Sequence, residues 1–232
     1  MLNTGDKEWL NKRHPGLISD AESIKGEIAF SAAYNSQTGR FLILDDSESD
    51  ASGGLVMSGA FTIKIEERHK KSSSSLPSLR VRYVEPIADR HFNQSNGIAC
   101  LCSPLEEDEF LRPAFQFKRF LQELVIPFLY GQLFYSLYKR WPWPEYAHGA
   151  TGLLESYAKS PSQTHVEECL RQLKLDASWA RVKAALLQKS SIQGHTQCFC
   201  PKKDLMRRCH PNALRGVQML QRDIKALDIL IQ

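Results

Sequence analysis

The feature that most constrains this chain is a change of hydrophobic period near residue 85. Before it, Gly26 to Tyr34, Arg40 to Leu44, Ala60 to Ile65 and Leu79 to Val84 alternate apolar and polar side chains, the period of a strand with one buried face. After it, Phe117, Phe120, Leu121, Leu124, Val125, Phe128, Leu129, Leu133, Phe134, Leu137, Tyr138 and Trp141 recur at steps of three and four, the period of a helix. A run of strands followed by a run of helices predicts an α+β fold, here a four-stranded antiparallel meander with flanking helices. Asn35 to Gly39 supplies the turn of the first hairpin, and Pro86 ends the fourth strand. Pro127 should kink or split the long helix.

The ends of the chain are less regular. Residues 5–25 read as a short helix broken at Pro15 with a second turn after Asp20. Asp45 to Gly54 is an acidic, Ser/Gly-rich connector without the ordered ligand spacing of a calcium loop. Glu66 to Ser75, rich in charge and serine, reads as a second surface loop, and Glu106 to Glu109 as an acidic knot. Thr164-His165-Val166-Glu167 reads as a capping box opening a helix, with Cys169 packed on its apolar face. Asp176 reads as the cap of the helix after it, and Pro211 as the first residue of the last one. We place a catalytic domain at 1–160 and a helical extension at 161–232.

Composition restricts the functional classes. A chain of 232 residues with a hydrophobic fraction of 42% and a charged fraction of 24% is that of a globular protein. The net charge of +4 is dispersed among acidic residues, so no basic stripe points to nucleic acid. The N-terminus carries no secretory pattern, which leads us to expect a cytoplasmic protein with reduced cysteines. The longest uncharged run, Leu124 to Tyr138, falls short of the roughly 20 apolar residues of a membrane span.

The six cysteines concentrate in two places. Cys198, Cys200, Cys209 and His210 follow the order C-x-C, eight residues, C-H, and offer the sulfur and nitrogen ligands of tetrahedral zinc. Four protein ligands leave no open position, so the expected zinc is structural. His195 is a spare ligand. The spacing resembles the SEC-C zinc motif, with Lys202 and Lys203 in its basic segment and Pro201 and its neighbours in place of its Gly-Ser-Gly turn.

The other cysteines lie in Arg90-His91-Phe92-Asn93-Gln94-Ser95-Asn96-Gly97-Ile98-Ala99-Cys100-Leu101-Cys102, where a glycine turn presents a thiol between small and apolar neighbours. A cysteine thiolate is both nucleophile and leaving group, so Cys100 can accept and surrender an acyl group, and an amide such as Asn93 can stabilise the oxyanion between. Cys102 is the competing nucleophile. Cys100 and Cys102 could instead form a dithiol redox site, or Cys100 could pair with His91 or His148 in a cysteine hydrolase, or the fold could survive as a binding module.

This stretch resembles the active-site region of ubiquitin-conjugating enzymes, which runs H-P-N, a short spacer, N-G, two residues, C-L. Here it is His91-Phe92-Asn93, Asn96-Gly97, Ile98-Ala99, Cys100-Leu101, with phenylalanine in place of proline and a spacer one residue shorter. The resemblance covers roughly residues 20–160. It implies a UBC-like fold, Cys100 as the thioester-forming cysteine, Asn93 as the oxyanion-stabilising asparagine and His91 as a structural member of the motif. Trp141-Pro142-Trp143-Pro144-Glu145-Tyr146-Ala147-His148-Gly149 is similar to the W-P-x-x-E-x-x-H-G segment of bacterial relatives from antiphage (CBASS) operons. Those relatives imply a partner: a cGAS-like nucleotidyltransferase whose C-terminus is the acyl group handled, with further proteins as acceptors. No glycine-rich nucleotide loop follows a strand, so an activating domain is not expected within the chain.

Overall fold

The computed structural model describes residues 2–44, 53–67, 76–112 and 114–231. Most of the acidic connector, 45–52, and most of the serine-rich loop, 68–75, lie outside the described residues. The described chain is α+β, with an antiparallel sheet followed by helices, and it divides into two compact units. One comprises 1–102 and 110–144, the other 103–109 and 145–232. The division follows Pro144, and 103–109 goes with the second unit.

The first unit opens with helix α1 (Thr4–Arg13), capped by Asn3, whose side chain accepts from Asp6 N while Asp6 accepts from Asn3 N. The helix stops at His14, as Pro15 requires. Strand β1 (Leu17–Ser19) follows where we expected no strand. Asp20 then makes a tight turn by accepting from the N–H groups of Glu22 and Ser23, bonds that hold its carboxyl down at about 2. β2 (Ser23–Asn35), β3 (Arg40–Ile43), β4 (Leu55–Glu66) and β5 (Ser78–Val81) complete a five-stranded sheet.

The order is not the expected meander. β4 pairs with β2 from Ser23↔Glu66 to Tyr34↔Leu55, while β1 pairs at Ile24 to Gly26 and β3 at Ala32 to Asn35. A strand has two edges, so β1 and β3 share the one opposite β4. The reason is length: β3 reaches only one end of the long β2, and β4 begins at Leu55, earlier than the alternation indicated. At the other end Gly26, at φ +137°, allows Gly16 O within 2.1 Å of where a Cβ would lie, an approach that only glycine permits.

After β5 come a 3₁₀ turn (Ala88–Arg90), a short hairpin and α2 (Pro104–Leu111). The expected acidic knot is therefore helical: Ser103 and Glu106 form a capping box, with Pro104 at the first helical position. The apolar stripe forms α3 (Phe117–Phe120), a π-turn (Leu121–Val125) and α4 (Ile126–Tyr138). Pro127 does split the helix. Its ring would meet the carbonyl four residues back, and the wider π-turn makes room for it. Phe117, Phe120, Leu121, Val125 and Leu129 are buried with Ile28, Ile63, Ile65 and Leu79 of the sheet, each full burial stabilising by about 1.5–3 kcal/mol.

The second unit is helical: α5 (Gly149–Lys159), α6 (Gln163–Leu173), α7 (Trp179–Leu186), α8 (Met206–Cys209) and α9 (Pro211–Ala226). Gly216 lets α9 lie against Leu154 O, 1.8 Å from an added Cβ, and Tyr157 OH donates to Asp223 at 2.7 Å. α6 is capped by Ser162, not Thr164, which lies inside the helix. Asp176 is not the N-cap of α7, a position held by Ser178; it accepts from Ser178 N and also from Ala150 N at the start of α5. Cys169 is buried, and desolvation drives its thiol far above the ordinary range. No helix among the described residues is long and apolar enough to cross a membrane.

Candidate functional site

Residues 91–100 form a hairpin set against the edge strand β5. Phe92 bridges Ala99, Asn93 N donates to Ile98 O at 2.8 Å, Cys100 N donates to His91 O at 2.7 Å, and Ala99 N donates to Leu79 O at 2.9 Å. The turn Gln94 to Gly97 closes through Gly97 N to Asn93 O, with Gly97 at φ +67° as the left-handed residue that a four-residue loop of this kind needs. Arg80 on β5 donates to Asn96 O and so ties the turn to the sheet.

This register decides which side chains meet. Phe92 and Ala99 face each other inward, 3% and 5% exposed. Alternation then puts Asn93 and Cys100 on the outer face, where both are exposed, as diagonal neighbours with Cα atoms about 7–8 Å apart. Asn93 Oδ1 accepts from Ser95 N at 2.9 Å and Ser95 Oγ at 2.7 Å, which orients the amide and leaves Nδ2 as its donor end. The shortened spacer therefore keeps Asn93 on the face of Cys100. Cys102 is half-buried, two residues farther along.

Phenylalanine at position 92 also has a structural reason. Its ring packs edge-on to Phe128 at 5.3 Å, and its N–H donates to Ile87 O, a bond that proline could not make. His91 takes a left-handed backbone, φ +55° and ψ 48°, which costs a non-glycine residue about 1–2 kcal/mol. Trp141 supports it: the indole lies edge-on to the His91 ring at 4.6 Å, and Nε1 donates to Asp89 O at 2.9 Å. Trp141 rests on Gly131 of α4, where a Cβ would come within 1.9 Å of the ring. Sequence reasoning placed Trp141 at the end of a helix and missed this role; the only sign was a glycine inside an apolar helical stripe. Glu106, the first residue of the acidic knot, is engaged in the second unit, with Oε2 in the Ser103 cap and Oε1 accepting from Tyr146 OH at 2.8 Å. Glu109 lies 3.6 Å from the buried His165.

In the second unit Cys198, Cys200, Cys209 and His210 come together, all four ligand atoms lying within 4.8 Å of one another. Cys198 and Cys200 sit on a tight turn, where Gln197 bridges Leu205 and Lys203 takes φ +53°; Cys209 and His210 lie at the end of α8. Cys198 Sγ is 3.2 Å from His210 Nδ1, and Cys200 Sγ is 3.5 Å from Cys209 Sγ. Tetrahedral thiolates about 2.3 Å from an ion stand about 3.7 Å apart, so the set fits a metal. At Cys200 burial opposes a thiolate, but the Cys209 and Cys198 thiols and the N–H groups of Lys202 and Lys203 outweigh it, and the pKa falls. Arg181 braces the turn through Cys198 O at 2.6 Å. His195 is not among the four residues of the cluster.

Compared with family models, with curated proteins and with solved structures, the chain matches none.

Proposed function

We propose that this chain is a ubiquitin-conjugating-enzyme-like transferase that carries a partner's C-terminus as a thioester on Cys100 and delivers it to an amine. The observation that carries the reading is the exposed Cys100 on the same hairpin face as Asn93, its backbone tied to His91. The order of elements along the chain, a helix, then strands, the hairpin and further helices, supports a UBC-like fold, although β4 pairs with β2 and not with β3 as a meander would have it. In the first step the thiolate attacks the carbonyl carbon of an activated C-terminus, such as an acyl adenylate made by a separate enzyme. A C–S bond forms, and the adenylate leaves with the bonding electron pair. In the second step an amine nitrogen attacks the same carbon, the C–S bond breaks, the thiolate departs and the amine loses its proton to water. Asn93 Nδ2 donates to the oxyanion of each tetrahedral intermediate, worth on the order of 3 kcal/mol when preorganised.

The partner that best fits the Trp141 to Gly149 segment is a cGAS-like nucleotidyltransferase, so the transfer would regulate antiphage signalling in the cytoplasm. Zinc is the metal that three thiolates and an imidazole suit best. Bound by Cys198, Cys200, Cys209 and His210, it would staple the helical extension without an open position for catalysis.

The test is an adduct between this chain and the partner's C-terminus. The proposal expects a hydroxylamine-sensitive adduct that disappears in Cys100→Ala and persists in Cys102→Ala. Ester hydrolysis without any transferable adduct would identify a hydrolase instead, and an adduct lost only in Cys102→Ala would move the nucleophile.

A further inference from the structure

Three successive carbonyls lead into the hairpin, and each has its own donor. Asp89 O accepts from Trp141 Nε1 at 2.9 Å, Arg90 O from Gln132 Nε2 at 2.8 Å, and His91 O from Cys100 N at 2.7 Å. Gln132 lies on α4 and is 0% exposed. Its Oε1 also accepts from Arg90 Nη1 at 3.4 Å, so one buried amide grips both the backbone and the side chain of Arg90. Arg90 is held further by Ser136 Oγ at 3.3 Å and lies over the Tyr135 ring at 5.0 Å. Gln132 accordingly sits in the sequence stripe beside Leu129 and Leu133, where an apolar side chain would meet the demands of packing. Burying an amide there costs free energy that only its hydrogen bonds recover, so what the glutamine adds is geometry.

We propose that Gln132 is a positioning residue for Cys100. By clamping Arg90 it sets the point at which His91 turns the chain left-handed, and through His91 O it sets where Cys100 presents its sulfur. A displacement of about 1 Å at a reacting group can lower a rate by about 100-fold, so this clamp acts on reactivity although Gln132 touches no reacting atom. The rate part of the inference rests on the acyl-carrier reading; the structural part does not.

Gln132→Met in the full chain removes the amide and keeps the length, and Trp141→Phe removes the neighbouring donor while keeping an aromatic ring. Hydrogen exchange should be at least about tenfold faster at the Cys100 and Gly97 amides in both variants, with the β2–β4 amides unchanged. Single-turnover adduct formation should fall about 10-fold to 100-fold at saturating partner, with the half-saturating concentration unchanged. Unaltered exchange at Cys100, or equal acceleration in β2 and β4, would overturn the proposal. A wild-type chain that forms no adduct would remove the acyl-carrier reading and leave the exchange measurement to decide this inference alone.

Discussion

Replacing Gly131 by alanine drives a methyl group into the indole of Trp141. The new Cβ would lie 1.9 Å from Cζ3, 2.5 Å from Cε3 and 2.9 Å from Cη2, whereas carbon atoms in contact settle at about 3.5–4.0 Å. The ring has little room to retreat. His91 stands at 4.6 Å, Phe128 at 5.9 Å and Trp143 at 6.0 Å between ring centres, and Nε1 is bonded to Asp89 O. Overpacking costs about 1–3 kcal/mol and the strained hydrogen bond about 1 kcal/mol, against about 1 kcal/mol regained from helix propensity. The net loss of about 1–3 kcal/mol should lower Tm by roughly 2–12 °C. Thermal unfolding of Gly131→Ala measures it, and the Trp141→Leu background isolates the cause. With the indole gone the same alanine should be neutral or stabilising. An unchanged Tm in the wild-type background, or an equal loss in both, would refute the reasoning.

Chelation of the metal, or Cys200→Ser, should strip helix content and hydrogen-exchange protection from the second unit while the β2–β4 amides stay protected, and the purified protein should contain about one zinc per chain. Metal-free protein with unchanged protection would contradict the staple. His14 is held down at about 4 by burial and then by Arg13, so it stays neutral in the folded state while the unfolded chain takes up a proton. Its contribution is complete above about 6.5 and lost as pH falls toward about 4; denaturant unfolding of His14→Gln should show a shallower decline across that window. At Asp176 burial raises the pKa, but the hydrogen bonds from Ser178 and Ala150 prevail and hold it low. Asp176→Ala should therefore cost about 1–2 kcal/mol at neutral pH and progressively less as the wild-type carboxyl is protonated in acid.

Periodicity made the α+β class, the buried helical stripe and the break at Pro127 legible, because period reports directly which face is buried. It could not show that β4 crosses to the far edge of β2, since pairing depends on strand lengths and on segments remote in sequence. The capping box at Ser103-Pro104-Leu105-Glu106 was written in the sequence, but the run of carboxylates read more simply as an acidic knot. The four metal ligands were legible because cysteine and histidine spacing carries its own chemistry. Gln132 was not, because a lone amide in an apolar stripe looks like an interruption until the carbonyl it holds is brought beside it by the fold.

The central claim, that Cys100 carries the acyl group, is tested most directly by substituting oxygen for sulfur. Cys100→Ser, incubated with the partner and an activating enzyme, should accumulate an oxyester seen by intact mass, resistant to thiol reductants and cleaved by alkali. A bare Cys100→Ser chain beside a Cys102→Ser chain that still forms the thioester would leave the account intact only if Cys100→Ala also forms no adduct. An adduct that survives in Cys100→Ala would contradict it.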